Sequence, residues 1–332
     1  VAAALLVGGL LAACGGSEEA DGAGDPVASG DGAAFPLTLE HKYGETVLDE
    51  VPERVVSVGF TDQDFLLALE VVPVGIRDWY GDQPFATWPW AQEALGDAEP
   101  EVLPADALSY EAIAALRPDL IVGVSSGMTA EEYATLSAIA PTLAQSDEFV
   151  DYGVPWQEAT RAIGQAVGKA DEAEALVTEV EELFAEARAE HPEFEGASGV
   201  VAFVMAADEV GGYAEEDTRS RVLEDLGFEV PAEIDELAGD SFYASFSAEN
   251  IDRLDADLVA WVAATDDVIA QIEASPLRSG LRAVEEGREV FLDAEVGAAA
   301  GFSSPLSLPY VLEELVPRFA LAVDGDPATD GE

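Results

Sequence analysis

Basic residues are scarce in this chain, and so are histidine and cysteine. Of 332 residues, 14 are Lys or Arg, two are His and one is Cys, against 68 Asp and Glu. Lys42 and Lys169 are the only lysines. Proteins that bind nucleic acid displace phosphate counterions with Lys and Arg, so a formal net charge of −54 argues against such a partner. The single cysteine, Cys14, rules out a disulfide within the chain. His41 and His191 are too few for the His-rich cluster of a zinc or manganese receptor. They also leave a Ser–His–Asp hydrolase without a well-placed base. His41 lies in a polar "EHKYGE" turn and His191 precedes a helix-ending proline, so both read as surface residues. P-loop and GxGxxG are missing as well. The expectation is a protein that is not an enzyme and carries no cofactor.

Hydrophobic residues make up 49% of the chain, enough for a folded core, and the length suggests two domains. The acidic excess would destabilise a compact state in dilute buffer. At ~1 M salt the Debye length falls to ~3 Å and most of that repulsion is screened. The surface therefore suits a saline setting outside the cytoplasm.

Residues 1–13 are uncharged and apolar or Gly, too short to span a bilayer but right for the core of a signal peptide. No basic segment precedes them, which is expected of a chain whose true start lies upstream. Leu11-Ala12-Ala13-Cys14 resembles a bacterial lipobox, making Cys14 the expected site of lipid attachment. Residues 15–34 are small, acidic or Pro, a composition that stays disordered. Fully extended, that tether reaches ~70 Å.

Beyond it, short β-branched runs alternate with helical stretches. "RVVSV" (54–58), "VVPVGI" (71–76), "DLIVGV" (119–124), "GVVAFVM" (199–205), "DLVAWV" (257–262) and "REVFL" (288–292) read as buried strands. The segments between them read as helices, which predicts mainly parallel α/β sheets. Residues 109–124, "SYEAIAALRPDLIVGV", align without gaps onto 247–262, "SAENIDRLDADLVAWV". Ser109 and Ser247 are candidate N-caps, each with a glutamate in the first turn. The repeat points to two similar Rossmann-like lobes, 35–168 and 196–324, followed by an acidic tail over 325–332. Between them, Ala175, Leu176, Val180, Leu183, Phe184 and Ala187 follow helical spacing. One helix over 169–192, about 30 Å long, predicts stiffly joined lobes and a ligand cleft that hinges little.

Together "PERVVSVGFTDQDFLLALEVVPVGI", "YEAIAALRPDLIVG", "IAPTL", "DTRSRVLEDLGF", "ENIDRLDADLVAWV" and "GFSSPLSLPYVLEEL" resemble the solute-binding proteins of iron–siderophore ABC importers. The resemblance covers about residues 35–324. It implies capture of a ferric siderophore outside the membrane and delivery to a permease driven by an ATPase. Any iron would then arrive inside its chelator, with no metal bound directly by the protein, and the receptor would act as a monomer. Receptors for cobalamin and haem share the plan and stay open as alternatives; an adhesion or structural lipoprotein is the reading outside this class. One departure is Ala68-Leu69-Glu70, where the family often has "ALG" after the first strand.

Ligands of open α/β sheets sit beyond the carboxyl ends of strands. "RDWYGDQPFATWPW" (77–90) begins at such an end and gathers five aromatics in fourteen residues, including three of the five tryptophans. Trp79, Tyr80 and Trp88 are the leading contacts there, with Arg77 as an anion anchor. Other predicted strand ends add Tyr213, Arg219, Arg221, Phe242, Tyr243 and Phe302, one of the two arginines being a candidate partner for Glu215, Glu216 or Asp217. The charge balance favours a neutral or cationic ferric hydroxamate over a trianionic catecholate. The resemblance further implies one acidic residue per lobe docking on permease arginines, for which Glu93 and Glu224 are placed alike.

Overall fold

The computed structural model describes residues 27–28, 34–206, 208–263 and 265–327. Cys14 and almost all of the tether lie outside the described residues, as do residues 328–332 of the acidic tail. A hairpin of β1 (Leu37–His41) and β2 (Gly44–Leu48) leads into the first sheet. His41 is a correction to the expectation of a surface residue. Its ring is buried against Tyr133, within hydrogen-bond distance of Thr46 Oγ1 at 3.0 Å, and burial lowers its pKa.

Five parallel strands follow: β3 (Val55–Ser57), β4 (Gly75–Arg77), β5 (Glu101–Leu103), β6 (Leu120–Gly123) and β7 (Thr142–Ala144). Their order is β5-β4-β3-β6-β7, with every neighbouring pair parallel. Strand order reverses at β3, which opens a crevice beyond the carboxyl ends of β3 and β6. Helix α1 (Asp62–Ala68) starts there and ends in a tight turn. Glu70 sits in that turn at φ 56°, the left-handed region that favours glycine. The family's missing glycine is therefore felt in the turn.

The second sheet comprises β8 (Gly199–Ala206), β9 (Glu209–Tyr213), β10 (Tyr243–Ser247), β11 (Leu258–Val262) and β12 (Glu289–Leu292). Its order, β10-β9-β8-β11-β12, mirrors the first, but β8–β9 and β9–β10 are antiparallel. Two strands thus stand where sequence analysis expects loop and helix. The paired glycines of "EVGGY" disguise β9. An added Cβ on Gly211 would lie 2.4 Å from the Ala244 carbonyl oxygen, so close pairing there requires glycine.

The repeated units occupy matching places. Ser109 caps a helix (Tyr110–Ala115) before β6, and Ser247 caps a 3-10 helix (Ala248–Leu254) before β11. Only the Ser247 side chain makes the capping bond, accepting from the Glu249 amide.

Between the sheets run α2 (Trp156–Ala166) and α3 (Ala170–Glu190). Gly168 at φ 74° breaks the pair, and Gly164 lets them touch, since a Cβ there would meet Ala173 Cβ at 2.3 Å. Helix α3 buries Ala173, Val177, Val180, Phe184 and Ala187, a stripe displaced from the expected one, and Ala175 faces solvent. It packs on α2 and on the C-terminal helix α6 (Ser307–Val323). One buried cluster runs from Val55 and Leu120 through Ile163, Val177 and Phe184 to Leu258 and Val290. Relative motion of the two sheets must shear this shared core, which is the physical basis of a stiff linkage. No helix among the described residues is long and apolar enough to cross a membrane.

Candidate functional site

A cavity of about 310 Å³ lies between the two sheets, lined by residues of both. The first sheet contributes Phe60 and Thr61 after β3, Trp79 after β4 and Ser125 after β6. Opposite them stand Tyr213 at the end of β9, then Asp217, Thr218 and Arg219 at the start of α4 (Thr218–Asp225). Phe242 and Gly301 complete that wall, the latter in the last turn of α5 (Ala294–Phe302), and Tyr152 stands at the mouth. Its ring meets Phe242 edge-on across the gap, with centroids 5.7 Å apart.

Arg219 is the cation of this lining. Asp217 caps α4 by accepting from the Arg219 amide at 2.8 Å, and its carboxylate also accepts from Arg219 Nη1 at 3.1 and 3.2 Å. The guanidinium lies 4.5 Å from the Tyr213 ring centroid. Burial pulls its pKa down, but Asp217 with Tyr213 and Tyr80 more than offset this and hold it above the ordinary value. Nε is buried and unpartnered. Nη2 rests on Gly301, where an added Cβ would come within 2.6 Å. The cavity is thus aromatic, with one fixed cation already neutralised by its own carboxylate.

Of the residues singled out in the sequence, Trp79, Tyr213, Arg219 and Phe242 line this cavity together. Tyr80 is exposed, edge-on to Trp79 at 4.6 Å, and is not among the residues that line the cavity. Trp88 and Phe302 are corrections. Both are buried, 5% and 2% exposed, in a ring stack where Trp90 lies flat on Trp88 at 5.2 Å and edge-on to Phe302. The Pro-rich loop folds two tryptophans under itself and presents the third.

Arg77 is also displaced from its expected role. It donates to the Ala105 carbonyl from Nε and Nη2 and to the Val58 carbonyl from Nη1. Its guanidinium backs the Phe60 ring at 4.1 Å, so it props the cavity wall from behind. Arg221 donates to the Gly153 carbonyl at 3.2 Å and does not line the cavity, so it too is no direct contact. Tyr243 lines the neighbouring hollow.

Phe60, Ser125 and Tyr152 escape sequence analysis, although the first two follow strands by the same rule that selects Trp79. Glu93 is exposed on a short helix, Gln92–Leu95. Glu224, on α4, is half-buried; burial and the neighbouring Glu215 push its pKa up to about 7.

Below the cavity the halves are pinned by polar contacts. Asp64 of α1 accepts from Trp90 Nε1 at 2.7 Å and from Ser304 Oγ, 240 residues away, at 3.0 Å. Trp156 Nε1 donates to Asp225 at 3.1 Å, and within the first half Asp62 accepts from the Ser125 amide at 2.9 Å. Among the described residues no group of three or more His, Cys, Asp or Glu is placed to hold a metal ion.

The family described as "Periplasmic binding protein" matches residues 55–296, spanning both sheets and every lining residue of the cavity except Gly301. The chain belongs to that family. This periplasmic binding protein is similar to the Fe(3+) dicitrate-binding periplasmic protein FecB of Escherichia coli (strain K12). The two are 28% identical over 276 residues, 80% of this chain and 85% of FecB. A periplasmic solute binding protein from Mycobacterium smegmatis superposes with a TM-score of 0.74 at 34% identity, covering 86% of this chain and 98% of that one. PiaA of Streptococcus pneumoniae, solved in complex with ferrichrome, superposes with a TM-score of 0.76 at 28% identity. That match covers 87% of this chain and 99% of PiaA.

Proposed function

We propose that this periplasmic binding protein is the extracytoplasmic receptor of an ABC importer, anchored through lipid on Cys14, that captures a ferric siderophore. The observation that carries the reading is the aromatic cavity built jointly by the two sheets, at the lower end of the ~300–1,000 Å³ range of ligand sites. Similarity to proteins named for ferric dicitrate and solved with ferrichrome supports a ferric chelate as cargo. Trp79 and Phe60 offer flat faces to the organic shell of such a complex, and Arg219 offers a donor edge to one of its oxygens.

Charge selects among chelates. Asp217 already offsets Arg219, Arg77 is turned to backbone carbonyls, and the protein carries −54. A polyanionic complex would enter without a counter-charge, whereas a ferric hydroxamate of zero or positive charge meets no such penalty. Glu93 and Glu224 remain the residues proposed to meet the permease.

The test is tryptophan fluorescence in high salt against ferric hydroxamates, ferric catecholates, ferric citrate, haem and cobalamin. Micromolar or tighter binding of a ferric hydroxamate is expected. Silence across the panel would defeat the receptor reading, and preference for a trianionic chelate would defeat the charge argument alone.

Gly301→Ala probes the arginine's seat. The new methyl collides with the free end of a side chain, so the guanidinium must move while the fold is kept. Chelate affinity is expected to fall about tenfold, the cost of one displaced charged hydrogen bond, with the unfolding midpoint unchanged. Undiminished affinity would remove Arg219 from the contact surface.

A further inference from the structure

Phe242 is a wall common to three hollows. One is the cavity described above. The second, about 460 Å³, is lined with charge, including Lys42, Asp147, Asp151 and Asp240. The third, about 430 Å³, adjoins the cavity through Tyr213 and Phe242 and, among the described residues, carries no charged side chain in its lining. Phe203 and Met205 at the end of β8, Tyr243 on β10 and Val268 form the rest of its wall with neighbouring valines.

An open hollow whose described lining is uncharged is out of character for this chain, in which 68 of 332 residues are Asp or Glu. Met205 is 51% exposed at its margin. The backbone is shaped to make it. Gly211 stands in mid-strand opposite Phe203, and a Cβ there would lie 2.3 Å from Phe203 Cζ. Glycine therefore lets the Phe203 ring lie down across β9, where it packs on Tyr213 at 4.9 Å and Tyr243 at 5.7 Å. These rings form a continuous apolar path from the cavity wall to Met205.

We propose that this hollow is a subsite for a hydrocarbon arm of the chelate, and that the natural ligand is an amphiphilic ferric siderophore. The inference rests on the receptor reading, because the arm enters only when the iron centre sits in the adjoining cavity. The shared walls fix the geometry: an arm leaving the chelate beside Tyr213 and Phe242 passes directly into the hollow. An apolar arm gains by leaving water there, and an exposed apolar patch on an acidic surface is covered in the same step.

Two neutral ferric chelates test the proposal: the iron complexes of N-acetyl- and N-octanoyl-desferrioxamine B. They share one iron centre and differ by six methylenes. Complete burial is worth about fourfold per methylene, so partial burial predicts a gain of roughly ten- to several-hundredfold for the longer arm. Met205→Glu, at an exposed position, should collapse that ratio towards unity. Equal affinities of the two chelates for the unaltered protein would overturn the subsite and leave the receptor reading standing. Failure of both to bind while another chelate of the panel binds would overturn the subsite alone, and silence across the whole panel would overturn the two together. A gain that survives Met205→Glu and also Val268→Glu would place the arm elsewhere and likewise defeat the subsite.

Discussion

Arg219→Met is expected to lose chelate affinity and stability together, and a second substitution should separate the two. Arg219 and Asp217 are both largely buried, with side chains 12% and 4% exposed. Removing one partner strands a carboxylate away from water, which costs about 3–5 kcal/mol. The added Asp217→Asn change removes that stranded charge and is expected to restore most of the denaturation midpoint. It does not restore the donor edge facing the cavity. Affinity in the double variant should stay roughly ten- to hundredfold below that of the parent, the worth of a hydrogen bond from a charged group. Urea unfolding and fluorescence titration read the two effects independently. A stable double variant with parental affinity would make the ion pair purely structural.

Strand ends are visible as places where a β-branched run stops, so Trp79 and Arg219 could be placed near the cavity. Phe60 and Ser125 follow strands in the same way but lack the unusual composition that draws attention to residues 77–90. Composition misleads in turn with Trp88 and Phe302. An aromatic-rich loop must bury part of itself, and which ring turns inward depends on Trp90, Asp64 and Phe302, which the linear pattern does not bring together. Arg77 shows the same limit, since its acceptors are the backbone carbonyls of Val58 and Ala105. The repeat before β6 and β11 was legible because local capping and periodicity define it. The β8–β9–β10 meander was not, because Gly211 is there for the Ala244 carbonyl and the Phe203 ring, contacts made only by the folded sheet.

The seam beneath the cavity predicts a stability that rises on acidification. Asp62 and Asp64 are fully buried, each has one carboxylate oxygen without a partner, and burial pushes both pKa values up from 3.8 to about 7. An unfolded carboxyl gives up its proton near 3.8, so between that pH and about 7 the folded chain holds protons that the unfolded chain has lost. The stabilisation is complete below the lower value and disappears as pH rises through the upper one. Each group alters stability by about 1.4 kcal/mol per pH unit inside that window. Taking pH from about 8 to 5 should therefore add on the order of 2–3 kcal/mol per group, less where the two carboxyls influence each other. Relief of the −54 charge acts in the same direction, so the comparison belongs in high salt, where that repulsion is screened. Asp64→Asn keeps an oxygen for Trp90 and has nothing to titrate, so urea midpoints should show a shallower pH slope for the variant. Because Ser304 donates to Asp64 from the other half of the chain, Ser304→Ala should further depend on pH, costing more at about pH 8, where Asp64 is ionised, than at about pH 5. Identical slopes for parent and Asp64→Asn would show that Asp64 does not titrate in this window.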